Sequence, residues 1–126
     1  MYTTAKPADI EVHRPIVFRL DQNAPNPFQT TTTIRFAIPK ACHVRLSIYD
    51  RERRLVRVLQ DGPLTAGIYN MKWNGEAGDA ERLAHGFYTY RLEANGFVAT
   101  RKMEMQSKQQ KPKGKMIKGK IVRRTS

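Results

Sequence analysis

"GFYTYRLEANGFVATRKMEM", residues 86–105, decides the fold. Two alternating runs, GFYTYRLEA (86–94) and FVATRKMEM (97–105), flank Asn95-Gly96. A type I′ turn needs positive φ at both central residues, and Asn-Gly between alternating runs is a strong short-range hairpin signal for that reason. Within the first run Tyr88 and Tyr90 fall on one face and Phe87 and Thr89 on the other. The tyrosine pair reads as the rim of a core rather than a stacking platform for bases.

The same period of two runs through the upstream sequence. IVFRL (16–20) is a short strand. Thr32 to Ile38 places Ile34, Phe36 and Ile38 on one face and Thr33, Arg35 and Ala37 on the other. HVRLSIYD (43–50), RLVRVLQ (54–60) and GIYNMKW (67–73) follow. Turn signals separate the runs at Pro39, Asp61-Gly62-Pro63, Ala66-Gly67, Asn74-Gly75, Gly78-Asp79 and Asn95-Gly96. No helical period runs long enough to compete. Seven short strands without crossover helices predict an all-β, antiparallel β-sandwich over residues 16–105. Residues 1–15, limited by Pro7 and Pro15, read as an extended N-terminal arm, and residues 106–126 as a basic C-terminal tail.

Charge divides the chain unevenly. The net charge is +12, from 23 Lys/Arg against 11 Asp/Glu. Residues 106–126 hold Lys108, Lys111, Lys113, Lys115, Lys118, Lys120, Arg123 and Arg124 and no acid, so two thirds of the net charge sits there. Such asymmetry points to an anionic partner rather than to the fold. The Lys/Gly/Gln/Pro content of the tail permits a solvated, disordered extension. Met116-Ile117 and Ile121-Val122 add apolar pairs among the lysines, which favours an arm that orders on its partner. The favoured partner is an acidic face of a larger protein assembly. Nucleic acid or the ribosome stands second, and an anionic membrane surface last, since the tail has neither stacking aromatics nor an apolar helical stripe.

Catalytic chemistry finds little to work with. His13, His43 and His85 show no metal-ligand spacing, the acids are scattered on turns, and no glycine pattern cradles a phosphate. Cys42 alone allows no internal disulfide and reads as a small, partly buried strand residue. No enzyme activity, cofactor, metal or small-molecule substrate is expected. The first fifteen residues lack the apolar core of a signal peptide, and no run of apolar residues is long enough to span a bilayer. A cytoplasmic location is expected of the chain as written, and a periplasmic or cell-surface one if it is a clipped secreted module.

The stretch LDQNAPNPFQTTTTIRFAIP (20–39) holds an Asn/Pro cluster ahead of a threonine-rich strand. Pro25 and Pro27 fix φ and push Ala24 and Asn26 toward extended conformations, so the segment is stiff enough to pass between two sheets, with Phe28 plugging the end of the core. Trp73, at a strand end beside Asn-Gly, reads as core packing.

This order of residues resembles the FlgD-like immunoglobulin domain, also seen as the type A C-terminal sorting domain of the type IX secretion system. Leu20, Gln22, Asn23, Pro25, Asn26, Pro27, Phe28, Thr32, Thr33, Ile34, Phe36 and Pro39 fit its opening. VRLSIYD (44–50) resembles its second strand. LTAGIYNMKWNG (64–75) resembles its Ala-Gly turn and Trp corner, with Trp73 and Gly75. LAHGFYTYRLEANGFVATRKM (83–103) resembles its closing hairpin, with Gly86, Tyr88, Tyr90 and Arg91. The resemblance implies an Ig-like sandwich. The chain departs from the family pattern where a glycine follows Tyr49-Asp50, here Arg51-Glu52-Arg53-Arg54, so that loop is expected to be shaped differently. It departs again after the Trp corner, where Ala77 and Ala80 replace an Asp and a glycine. This weakens any cation site built on Asn74, Glu76 and Asp79. Three functions stay open: a non-enzymatic accessory or scaffolding subunit docked through its sandwich surface and basic tail, a type IX sorting or cell-surface module, and a nucleic-acid binder acting through the tail.

Overall fold

The computed structural model describes residues 15–107. Seven strands run in chain order: β1 (Arg19–Leu20), β2 (Thr32–Ile38), β3 (Cys42–Tyr49), β4 (Leu55–Leu64), β5 (Gly67–Trp73), β6 (Gly86–Ala94) and β7 (Phe97–Met105). They form a three-stranded sheet, β1-β2-β5, and a four-stranded sheet, β4-β3-β6-β7, with every strand pair antiparallel. This is the expected all-β sandwich. The β6–β7 hairpin turns on Asn95 (φ 49°) and Gly96 (φ 86°), both in the left-handed region that the Asn-Gly dipeptide foretold.

The core follows the alternation. Ile34, Phe36 and Ile38 of β2 face Val44, Leu46 and Ile48 of β3 and Tyr88, Tyr90 and Leu92 of β6, with Met103 and Met105 of β7. Phe18, just ahead of β1, stacks on Phe97 of β7 at 5.3 Å between centroids and so links the layers, while Phe36 stacks on its strand partner Tyr69 within the small sheet at 5.5 Å.

Two expected boundaries move. The first strand keeps only Arg19 and Leu20 of the run 16–20, while Ile16 and Val17 are 86% and 55% exposed. Continuing the register of Arg19 with Ala37 would set Val17 against Pro39, which has no N–H to give a ladder. The fourth strand, in contrast, does not stop at Gln60 but runs through Asp61-Gly62-Pro63 to Leu64. β4 lies at a sheet edge, where a proline is tolerated. Register shifts on β3 beside Ser47 and Tyr49 mark bulges in this pairing.

Candidate interaction surface

The Asn/Pro cluster holds the sandwich shut. Asn23, 2% exposed, gives its backbone N–H to Tyr90 Oη (2.8 Å), and Tyr90 Oη donates to Asp21 O (2.6 Å). Burial pushes the Tyr90 phenol up to about 12. Asn23 Nδ2 donates to Thr32 Oγ1 (2.9 Å), which donates to Pro25 O (2.8 Å). Further along, the chain reaches the opposite sheet. Arg101 Nε donates to Leu20 O (2.7 Å) and Gln22 Nε2 to Lys102 O (2.8 Å). Glu104 N donates to Asn26 Oδ1 (3.0 Å), Phe28 N to Glu104 O (3.1 Å) and Gln106 N to Phe28 O (2.8 Å). Residues 20–24 stay bonded to β2, through Asp21 N to Arg35 O and the Ala24–Thr33 bridge, and residues 20–28 at the same time run along β7 of the large sheet. Pro27 is exposed, and Phe28 is 2% exposed at the core's end.

Phe28 meets Trp73 at 5.7 Å, and Trp73 meets Tyr88 edge-on at 5.5 Å. Trp73 Nε1 donates to Glu76 O (2.9 Å), and Tyr88 Oη donates to Ala84 O (2.5 Å). Gly75 has φ 78°, and a Cβ there would lie 2.7 Å from Met105 Sδ. Gly86, which opens β6, has φ 144°. Arg82 closes this corner by donating to the carbonyls of Asn74 and Gln29. Asn74 Oδ1 and Asp79 Oδ1 accept backbone N–H groups of Glu76 and Glu81 in exposed local turns. Among the described residues no three His, Cys, Asp or Glu side chains converge on a metal position.

The eight basic residues Lys108, Lys111, Lys113, Lys115, Lys118, Lys120, Arg123 and Arg124, and the arm through Arg14, lie outside the described residues. The last described residues, Gln106 and Ser107, line a pocket of ≈ 280 Å³ with Arg82, Leu83, Ala84, His85 and Met105. His43 pairs with Asp61 (2.7 Å), whose other oxygen takes Arg45 (3.2 Å). Cys42 is half-buried and free.

The turn between β3 and β4 reaches the left-handed region without a glycine and shows contacts that the sequence did not single out. No glycine follows Tyr49-Asp50, yet the loop still uses the left-handed region: Arg53 occupies it with φ 66°. Ala80 does the same with φ 72° beyond the Trp corner. Asp50 makes the first turn possible. Its Oδ1 accepts the N–H groups of Glu52 (2.8 Å) and Arg54 (2.9 Å), and its Oδ2 takes Arg54 Nε (2.9 Å). These bonds, led by the Arg54 N–H, hold the Asp50 carboxyl below its ordinary range. On the outer face of the large sheet beside this turn, Tyr49 pairs with Thr89, and Ser47 with Arg91, which pairs with Thr100. Tyr49, Asp50, Arg53, Thr89, Arg91 and Thr100 line a depression of ≈ 500 Å³. No glycine, histidine or charge run in the sequence pointed to it. Only the strand register brings these residues together.

These features define an Ig-like antiparallel sandwich whose first sheet is locked to the last strand by a short Asn/Pro segment. The model of the FlgD Ig-like domain matches residues 22–96, more than half of the chain, so the chain belongs to the FlgD Ig-like domain family. Among solved structures, dimeric latent PorU from Porphyromonas gingivalis is similar with a TM-score of 0.57 at 23% identity, over 73% of this chain and 10% of PorU. PorZ, described as an essential bacterial surface component of the type IX secretion system of the same organism, has a TM-score of 0.47 at 21% identity, over 71% of this chain and 11% of PorZ. The chain therefore spans about a tenth of either protein, and the likeness to PorU is one of fold. No curated protein matches in sequence.

Proposed function

We propose that this chain is a non-enzymatic interaction module that works as a small accessory or scaffolding subunit of a larger assembly, docked through its sandwich surface and its basic C-terminal tail. One observation carries this reading. The side chains that mark the family, Asn26, Phe28, Trp73, Tyr88 and Tyr90, are engaged in building the frame, through hydrogen bonds to backbone or ring packing. The sequence beyond the frame is basic: residues 106–126 carry eight cations and no acid. A partner with an acidic face matches that charge. Native-condition gel filtration of the full chain in its source lysate, followed by mass spectrometry, tests the proposal. A stoichiometric complex that dissociates at raised salt and needs residues 108–126 is expected. A chain that migrates only as a free monomer, or that holds nucleic acid rather than protein, overturns it.

A second reading has its own support. The motifs that resemble type IX sorting domains run from Leu20 to Met103, and PorU shares the fold. On this reading the domain acts at the cell surface or in the periplasm of a type IX-competent bacterium. Residues 16–105 placed behind a signal peptide and a reporter would then carry the reporter to the outer surface; periplasmic retention rejects it.

A further inference from the structure

We propose that the outer face of the four-stranded sheet, beside the β3–β4 turn, carries a binding site for an oxyanion group: a phosphate, sulfate or carboxylate borne by a ligand. Four side chains are set on one face by strand register. Thr89 and Arg91 lie two residues apart on β6, Tyr49 stands opposite Thr89 on β3, and Thr100 stands opposite Arg91 on β7. Arg53 and Asp50 join them from the turn, completing the ≈ 500 Å³ depression. That volume suits a small-molecule group or one residue of a polymer.

The donors in this depression are available. Among the described residues the Arg53 guanidinium and the Thr89 and Thr100 hydroxyls have no hydrogen-bond or ion-pair partner; the one bond recorded for Arg53 is its backbone N–H to Asp50 O (3.0 Å). Arg91 gives Nε to Glu93 (2.8 Å), which fixes one edge of the guanidinium and leaves its terminal nitrogens for a ligand. Tyr49 Oη accepts from Ser47 Oγ (3.2 Å) and so retains its own proton to donate. Two planar, permanently charged forks with three hydroxyl donors match the geometry of a delocalised oxyanion.

Facing anions are accounted for. Glu93 is paired with Arg91. Asp50 faces Arg54 and two backbone N–H groups, which hold it as a structural carboxylate. Glu52 is 3.2 Å from Arg54. Arg51 and Arg53, on the same turn, have no acid in contact among the described residues. Arg53 also holds a backbone conformation that costs a residue with a Cβ roughly 1 kcal/mol. A glycine would fill that place without strain, and the chain instead puts a free guanidinium over the depression. Ala80 holds a similar backbone with only a methyl group, so what sets Arg53 apart is that the residue in this conformation also supplies the unpaired cation.

The test is a residue-resolved NMR titration of the full chain with sodium phosphate, sodium sulfate and sodium acetate in turn, with ionic strength held constant by sodium chloride. Saturable shifts centred on Arg53, Thr89, Arg91 and Thr100 are expected for at least one of the three. Saturation by phosphate and sulfate alone assigns a tetrahedral group, and saturation by acetate alone assigns a carboxylate. Arg53→Gly is the decisive variant, because it relaxes the turn while removing the guanidinium. It should weaken the affinity about tenfold with only a small change in melting temperature. Arg91→Ala should weaken it by a similar factor, and Thr100→Val by less. Shifts confined to the basic tail, or an Arg53→Gly affinity equal to that of the natural chain, overturn the proposal.

Discussion

In residues 20–28 the side chains of Gln22, Asn23 and Asn26 each bond to the frame, and the segment ties β1 to β7. In residues 50–54 a single carboxylate organises the turn, and Arg51 and Arg53 remain unpaired among the described residues. Both segments are polar and tight. They differ in where their polar groups point. The first uses them to close the sandwich, and a buried amide such as Asn23 has no alternative, since an unpaired polar group in the core is costly. The second keeps Asp50 for structure, with Arg54 paired to it and to Glu52, and leaves Arg51 and Arg53 out. Family resemblance is therefore densest where the chain builds its frame, and individuality begins where the frame no longer needs the side chain.

That contrast can be broken at the frame first. Phe28→Ala removes the plug against Trp73 and should cost about 3–5 kcal/mol, read from urea unfolding. A loss under about 1 kcal/mol would mean the core end is closed by something other than this segment. Next comes Tyr90→Phe, which strands the Asn23 N–H and the Asp21 carbonyl and should cost about 1–3 kcal/mol. It also carries a pH signature. The phenol ionises at about 12 in the fold against an ordinary 10.0, so the folded state holds its proton more tightly. The stability this confers is complete below pH 10.0 and is lost as pH rises toward about 12. Unfolding measured across that window should fall more steeply in the natural chain than in Tyr90→Phe; parallel curves would deny the buried phenol its role. The smallest effect belongs to the turn. Arg53→Gly and Ala80→Gly each relieve a left-handed Cβ, worth about 1 kcal/mol, against the greater freedom glycine gives the unfolded chain. Each should change stability by less than about 1 kcal/mol, with no large loss. A drop of about 2 kcal/mol or more at Arg53 would show that its side chain belongs to the frame after all.

Much of the frame was legible in the sequence because period and turn chemistry are local. Asn95-Gly96 named its own turn, and the alternation of Ile34, Phe36 and Ile38 named its own buried face. What failed was whatever depends on a neighbour. Asp61-Gly62-Pro63 looks like a turn when read alone, and it is strand because β4 happens to lie at an edge. Ile16 and Val17 look like strand, and they are not, because Pro39 stands where their partner should be. Arg53 and Ala80 gave no sign of their left-handed backbone, since that signal is ordinarily a glycine. The depression between Tyr49, Thr89, Arg91 and Thr100 required the register of three strands, and no single-chain pattern encodes a cross-strand pair.

The bridge between Phe28 and Met105 is parallel, unlike the strand pairs around it. Residues 20–28 and β7 therefore run the same way, side by side. Tension applied at the two ends of the domain pulls these neighbours in opposite directions along their length. The bonds at Leu20, Asn26 and Phe28 then bear load together and must shear at once, rather than unzip one after another. A module tethered at one end and anchored to a partner at the other would resist being drawn open, and the short Asn/Pro segment is its mechanical clasp.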